Sequence, residues 1–149
     1  MALRSGLGAQ LPKSKQDVVA SEWRGDYCFG HLTVVNNTGG GITVANLVGH
    51  PISWVTANSA YEFTVAGDEA DVVAIVLSAL DKEITLADAE SIELFCAIRG
   101  PATLFRGGIE ASDYADGAYT MDDIETALAG LNPPILLIDE PDAYNSSVR

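Results

Sequence analysis

The chain has 149 residues, 48% of them hydrophobic, and its 21 acidic residues against 8 basic ones give a net charge of −13. That length suits a single domain with a core of its own. The negative charge excludes a basic surface of the kind that binds nucleic acid, because phosphate contacts need clustered Lys and Arg.

The sequence shows neither a membrane span nor a secretion signal. No apolar run approaches the roughly 20 residues that a spanning helix needs, and the start of the chain lacks a signal-peptide pattern. We therefore expect a soluble protein made in the cytosol, with reduced thiols and no membrane partner.

Charge is divided unevenly along the chain. Residues 1–24 carry four basic side chains against two acidic ones, a net charge of +2, and residues 25–149 carry four against nineteen, a net charge of −15. A polar leader without a core orders only on a surface that it binds. We predict a flexible arm over residues 1–22 and a single, mainly β domain over residues 23–149, a layout that indicates an assembly protein.

The body is rich in short apolar segments of strand type. Alternating or β-branched runs predict strands at 32–35, 42–46, 51–55, 62–65, 72–77, 84–86, 91–99, 103–106 and 135–138. The continuous run 72–77 predicts a strand buried on both faces, with a helix as the competing interpretation. The run 135–138 predicts a final buried strand. The Asn- and Gly-rich segment 36–41 predicts a hairpin turn.

One segment has a clear helical pattern. Thr120 is a suitable N-cap, and Asp122 and Asp123 follow in the first turn, where the helix dipole favours negative charge. Gly130 and the prolines of 132–134 end the pattern. We therefore predict one C-terminal helix.

Cysteine and histidine spacing offers little chemistry. Cys28 and His31 have the C-x-x-H spacing of half a zinc site, but no second pair completes it. Cys28 and Cys96 leave open the possibility of one disulfide. His50 precedes a proline and is interpreted as a turn residue.

The acidic segment 112–123 fails the test for a calcium loop. With Gly117 at loop position six, Tyr114 stands where a ligand is needed, and no flanking helices are predicted. A P-loop, a G-x-G-x-x-G motif and a nucleophile elbow are absent from the sequence. We expect no enzyme activity, no cofactor and no metal.

The order of parts resembles the head decoration proteins of tailed bacteriophages, the family of the phage lambda decoration protein. A Trp-containing strand at 52–55 precedes the Val/Ala strand 73–77 and the alternating strand 92–100. The segment 104–106, an acidic stretch, one helix and the apolar strand 135–138 follow. The resemblance covers residues 40–138, and an apolar insertion at 24–50 and the greater length depart from it.

The resemblance implies a small β body of the β-clip type. It implies homotrimers on the outer surface of the virion capsid, at three-fold and quasi-three-fold sites, with the major capsid protein as partner. The arm would add to the sheet of a capsid subunit, and the protein would stabilise the shell against the pressure of packaged DNA. Such a cement role needs no reaction.

Candidate contact residues follow from this resemblance. The capsid-binding arm would use Leu11, Pro12, Lys13, Lys15, Val18, Val19 and Trp23. Trp54 and Phe105 are candidates for the trimer interface, because aromatic residues are enriched there, with core packing as the alternative for both.

Two other functions stay open. One is an acidic β-sandwich adhesion module of a phage fibre or surface protein. The other is a β-rich enzyme acting on nucleotides, for which only Arg99 and Arg106 could bind phosphate in the body.

Overall fold

A computed structural model describes residues 18–22, 28–44, 47–78 and 83–139. The strands are β1 (Val19–Glu22), β2 (Phe29–Val35), β3 (Ile42–Val44), β4 (Pro51–Val55), β5 (Ala60–Phe63), β6 (Val72–Val76), β7 (Ile84–Leu86), β8 (Ser91–Ala97), β9 (Ala102–Phe105) and β10 (Ile135–Ile138). One α-helix, α1 (Met121–Ala129), precedes β10, and short 3-10 helices occupy Glu69–Asp71 and Arg106–Gly108. The predicted fold class, a mainly β body with one helix near the C-terminus, is confirmed.

Five strands close into a barrel in the order β2-β5-β4-β6-β8. β2 and β5 are parallel, and the other neighbouring pairs are antiparallel. A second sheet has the order β1-β9-β10, with β1 antiparallel and β10 parallel to β9. The short strands β3 and β7 form an antiparallel pair of their own.

The body has two hydrophobic cores. The first draws side chains from all five barrel strands, among them Val34, Ile52 and Leu94, as the filled interior of a small barrel requires. The second joins the barrel to the helix and to the three-stranded sheet. Its fully buried members include Ile124 of α1 and Leu104 of β9.

β6 lies between these two cores, which explains its continuous apolar sequence. Ala74 and Val76 belong to the barrel core, and Ile75 belongs to the second core. The prediction of a strand buried on both faces is confirmed for this segment, and the helical interpretation is wrong.

The helix begins and ends where the sequence predicts, but the contacts at its start differ from those predicted. Thr120 is the N-cap residue, yet its side chain makes no capping hydrogen bond. Asp122 and Asp123 occupy the first turn as expected. Gly130 follows the last turn in a right-handed conformation, and its N–H donates to the carbonyls of Thr126 and Ala127.

The segment 36–41 is not the hairpin turn that we predicted. β3, which follows it, pairs with β7 rather than with β2. The fully buried Asn36 explains the difference, because its side-chain amide donates to the carbonyls of Gly40 at 2.9 Å and Leu86 at 3.0 Å. The turn is therefore tied to the strand pair β3–β7 and leads the chain out of the barrel.

The predicted boundary of the arm also needs correction. Val18 is fully buried in the second core, and Val19–Glu22 pairs with β9. Residues 18–22 therefore belong to the body, and the predicted boundary at residue 22 lies too late. Residues 1–17 of the predicted arm lie outside the described part of the chain.

Candidate functional site

The three-stranded sheet turns an apolar face outward. β10 alternates, so that Ile135 and Leu137 are buried, whereas Leu136 and Ile138 are 49% and 43% exposed. These two pair in register with Thr103 and Phe105 of β9, which are half-buried and share their face. We call Thr103, Phe105, Leu136 and Ile138 the outer sheet face.

Our prediction of a buried strand at 135–138 is therefore confirmed for the strand and wrong for the burial of Leu136 and Ile138. The sequence Ile-Leu-Leu-Ile carries no alternation of polarity that separates an inward from an outward position. Leu136 and Ile138 are also two of the three exposed large hydrophobic side chains in the described residues. Exposed apolar residues that adjoin one another mark interaction surfaces more often than scattered ones do.

The same strand forms an edge of its sheet. Among the described residues no strand pairs with the side of β10 that faces away from β9. Strand edges in natural proteins usually carry a charge or a proline that prevents pairing with another chain. β10 has neither within Ile135–Ile138, so both its edge and its outer face suit contact with a protein partner.

A group of charges lies at one end of this sheet. Arg106 follows β9, and its guanidinium forms ion pairs with Asp122 at 3.4 Å, with Asp139 at 3.5 Å and with Glu125. We call these four residues the Arg106 cluster. The hydrogen bond to Glu125 raises the pKa of Arg106. Three carboxylates against one guanidinium leave this end of the sheet with a net charge of −2.

The Arg106 cluster bears on the enzyme alternative. That alternative needs a body arginine that presents its guanidinium to a phosphate. Arg106 instead holds α1 and the end of β10 through carboxylates, and the sequence offered no signal for these pairings.

The two aromatic candidates for a trimer interface lie in different sheets. Phe105 belongs to the outer sheet face. Trp54 lies on the barrel strand β4 and is 38% exposed. Its ring meets that of Tyr61 edge to face, with 4.9 Å between the ring centroids. Core packing was the alternative for both residues. Trp54 is exposed and therefore is not a core residue.

Trp54 borders an open groove of about 340 Å³ between the barrel and the end of α1. Its lining includes Thr56, Asp71, Val72, Thr126 and Leu131. An indole ring beside a carboxylate and two hydroxyls offers both an apolar surface and hydrogen-bonding groups to a small polar ligand.

The predicted contact residues of the arm fall into two groups. Leu11, Pro12, Lys13, Lys15 and Trp23 lie outside the described residues. Val18 is fully buried, and Val19 packs against the second core. Val18 and Val19 are thus part of the body's own packing in this fold, and not of a free arm.

Cys28 and Cys96 are buried and unpaired, which answers the disulfide question. The Cys28 thiol donates to the carbonyl of Pro101 at 3.2 Å, whereas His31 is exposed with its ring 5.1 Å from that of Phe95. The half zinc site that their spacing suggested is therefore not assembled. Within the described residues no group of three or more potential metal ligands comes together.

The acidic loop before α1 uses its central carboxylate for its own backbone. Asp113 accepts hydrogen bonds from the N–H groups of Ala66 at 2.9 Å, Ala115 at 2.9 Å and Gly117 at 2.7 Å. Burial alone would raise the pKa of Asp113, but these hydrogen bonds outweigh it and the pKa is lowered. Internal hydrogen bonds to Asp113 therefore shape this loop.

Comparisons with protein-family models, with curated proteins and with solved structures found no match. No helix in the described parts of the chain is long and apolar enough to cross a membrane. The functional proposal therefore depends on the surface features above and on the sequence layout.

Proposed function

We propose that the protein is a capsid decoration protein of a tailed bacteriophage. It binds the outer surface of the head as trimers at three-fold and quasi-three-fold sites and stabilises the shell against the pressure of packaged DNA. The observation that carries this proposal is the outer sheet face together with the position of β10 at an edge of its sheet, because both features suit an assembly protein. The role requires no reaction, no cofactor and no metal.

The physical basis is the addition of contacts between shell subunits. A strand edge supplies backbone hydrogen bonds to a partner strand without demanding a particular side-chain sequence. The exposed Leu136 and Ile138 add apolar burial, worth about 25 cal/mol for each Å² removed from water. A trimer makes its second and third attachments effectively intramolecular, so modest contacts suffice for stable binding.

The charge layout supports the same role. A body with a net charge of −15 keeps free copies apart, and a leader with a net charge of +2 suits attachment to an acidic shell surface. In this proposal the major capsid protein is the partner, and the arm before Val18 supplies part of the contact.

Binding of variants to undecorated, expanded capsids of the parent phage tests the proposal. We expect deletion of residues 2–16 to abolish co-sedimentation. We expect Leu136→Asp to weaken it at least about tenfold, since a charge on an apolar contact remains without a partner. Thr85→Asp, at an exposed strand position on β7, is the control and should bind as the wild type does. Equal binding by all of these proteins would contradict the proposal.

One observation favours the adhesion module as a second candidate. The groove is lined by the exposed ring of Trp54 and by the carboxylate of Asp71. A sugar ring can stack on the indole and donate hydrogen bonds to the carboxylate. This function predicts glycan binding that Trp54→Ala abolishes, and it predicts no affinity for capsids. A glycan array with the wild type and with Trp54→Ala distinguishes it from the decoration role.

A further inference from the structure

β10 presents a short strand edge with defined limits. In the described part of the chain its single strand neighbour is β9. A strand directs about half of its backbone N–H and C=O groups to each side. Pro133 and Pro134 precede β10 and carry no backbone N–H, and the exposed Asp139 follows it. The window in which another strand can pair with this edge therefore runs from Ile135 to Asp139.

The outer sheet face sets the chemistry along this window. Leu136 and Ile138 are the exposed side chains of β10, and they stand next to Thr103 and Phe105 of β9. Side chains that share a face on adjacent strands lie about 5 Å apart. A strand added beside β10 therefore places alternate side chains against Leu136 and Ile138, where apolar side chains gain from burial.

The Arg106 cluster gives the window one charged end. Its single cation, Arg106, is shared among three carboxylates. The side chains of Asp122 and Asp139 nevertheless stay 89% and 85% exposed. The other end of the strand follows the uncharged sequence Asn-Pro-Pro at 132–134. A partner residue at the level of Asp139 therefore meets net negative charge, which favours Lys or Arg.

A second copy of this chain matches the window less well. Residues 132–139 contain no basic side chain. If the β10 strands of two copies paired in parallel, Asp139 would lie beside Asp139, and in antiparallel pairing the segment 132–134 would lie there. Neither arrangement supplies a cation to the Arg106 cluster, so charge favours a different protein as the partner.

We propose that β10 receives an extended segment of another protein as an added strand. Alternate residues of that segment are apolar and cover Leu136 and Ile138, and a Lys or Arg at its end pairs with Asp122 and Asp139. In the proposed function, on which this assignment rests, that protein is the major capsid protein. Because strand addition binds through the backbone, the partner segment is selected by its pattern and charge.

Peptides added to the isotope-labelled full-length protein test the strand site by NMR. The probe is Lys-Val-Thr-Val-Thr-Val-Lys with blocked ends. We expect it to shift the backbone amide signals of 135–138 and the methyl signals of Leu136 and Ile138, whereas those of Ile84 on β7 stay unchanged. Shifts spread evenly over the body, or no shifts at all, would overturn the strand site.

A peptide with Glu in place of both lysines tests the ionic part. It should bind at least about fivefold more weakly than the probe. Asp122→Asn with Asp139→Asn should reduce this preference to less than about twofold. Glu83→Gln with Glu93→Gln removes the same charge at exposed positions elsewhere and should keep the preference. The same preference in both double variants would overturn the assigned ion pairs.

An N-methylated probe tests the backbone pairing. Methyl groups on the nitrogens of its central residues remove the N–H donors that an added strand needs. We expect this peptide to bind at least about tenfold more weakly than the probe. Equal binding by the two peptides would overturn strand addition.

Dilution of the free protein tests coverage by a second copy. We expect the methyl signals of Leu136 and Ile138 to keep their positions as the protein concentration falls. Shifts of these signals on dilution would mean that another copy covers the face, and they would overturn the assignment to a different protein.

Capsid binding separates this assignment from the proposed function. Co-sedimentation with capsids but no response to any peptide would overturn the strand site and leave the decoration role standing. Peptide binding at β10 without capsid binding would support the strand site and contradict the decoration role.

Discussion

The carboxylate of Glu69 accepts a hydrogen bond from the backbone N–H of Thr120 at 2.8 Å, across 51 positions of sequence. Its other oxygen accepts from the N–H of Gly67 at 2.8 Å. Glu69 is 3% exposed and belongs to the short 3-10 helix that precedes β6. It thus joins the barrel to the start of α1, where the sequence had predicted capping by the Thr120 hydroxyl.

This contact makes stability depend on pH. Burial alone would raise the pKa of Glu69, but hydrogen bonds from the N–H groups of Thr120 and Gly67 outweigh it, and the pKa lies below its ordinary value of 4.5. A carboxyl with a lowered pKa stabilises the fold above its ordinary value and loses that contribution as pH falls through the folded value. Asp113 acts in the same direction, starting from an ordinary value of 3.8.

We expect Glu69→Gln to lower the free energy of unfolding by about 1–3 kcal/mol at neutral pH, because an amide NH₂ then faces a backbone N–H. The variant should also lose less stability than the wild type between about pH 6 and about pH 2.5. Urea unfolding at several pH values measures both effects. Glu93→Gln, an exposed carboxylate on β8, is the control and should change stability by less than about 0.5 kcal/mol. Parallel pH curves for wild type and Glu69→Gln would contradict the assignment.

Gly49 and Gly39 have the same backbone conformation but differ in the space available for a side chain. Both have left-handed φ angles, +91° and +90°. A Cβ at Gly49 would lie 2.2 Å from the carbonyl oxygen of Gly108, whereas a Cβ at Gly39 would meet nothing within 4 Å. In both alanine variants the left-handed backbone conformation costs about 1–2 kcal/mol. Only Gly49→Ala adds a steric clash.

We therefore expect Gly49→Ala to lower the free energy of unfolding by about 1–3 kcal/mol more than Gly39→Ala does. Chemical unfolding of the two variants measures the difference. Equal losses would show that the segment at Gly108 moves aside without cost.

The buried Asn36 should matter more than its neighbour Asn37. The Asn36 side chain donates to three carbonyls at 2.9–3.1 Å and accepts from Thr38. The exposed Asn37 donates to the Glu62 carboxylate at 3.2 Å. Asn36→Ala removes these hydrogen bonds from a fully buried position, so we expect a loss of about 2–3 kcal/mol. Asn37→Ala should cost less than about 1 kcal/mol. Thermal unfolding of the two variants tests the ranking, and a reversed order would refute it.

Both thiols should be unreactive in the folded protein. Burial raises the pKa of Cys96 to about 12, and the Cys28 thiol is fully buried against the carbonyl of Pro101. We expect neither to react with a thiol reagent at about pH 8 until the chain unfolds, because the thiolate is the nucleophile. Thr85→Cys, exposed on β7, supplies a positive control that should react at once. Rapid reaction of the wild type would mean that the body opens locally.

Most of the fold could be predicted from local patterns. The alternation of Ile92, Leu94 and Cys96 predicted β8, and the β-branched run before Leu77 predicted β6. The acidic first turn and Gly130 placed the helix. These signals succeed because they report one side chain's environment relative to its immediate neighbours.

The surface that carries the proposal could not be predicted in this way. Leu136 and Ile138 have the same composition as the buried residues beside them, and only pairing with β9 decides which of the four face outward. Val18 and Val19 follow a polar leader, so their burial under β9 is a long-range effect. The partners of Arg106 come from α1 and the end of β10, and no spacing in the sequence joins them.

Co-sedimentation of the full-length protein with undecorated, expanded capsids of the parent phage tests the central proposal most directly. Protein is added over a range of ratios, and the amount that pellets with the shells is measured. The decoration role predicts saturable binding near one copy for each capsid subunit. Absence of binding at every ratio would contradict it.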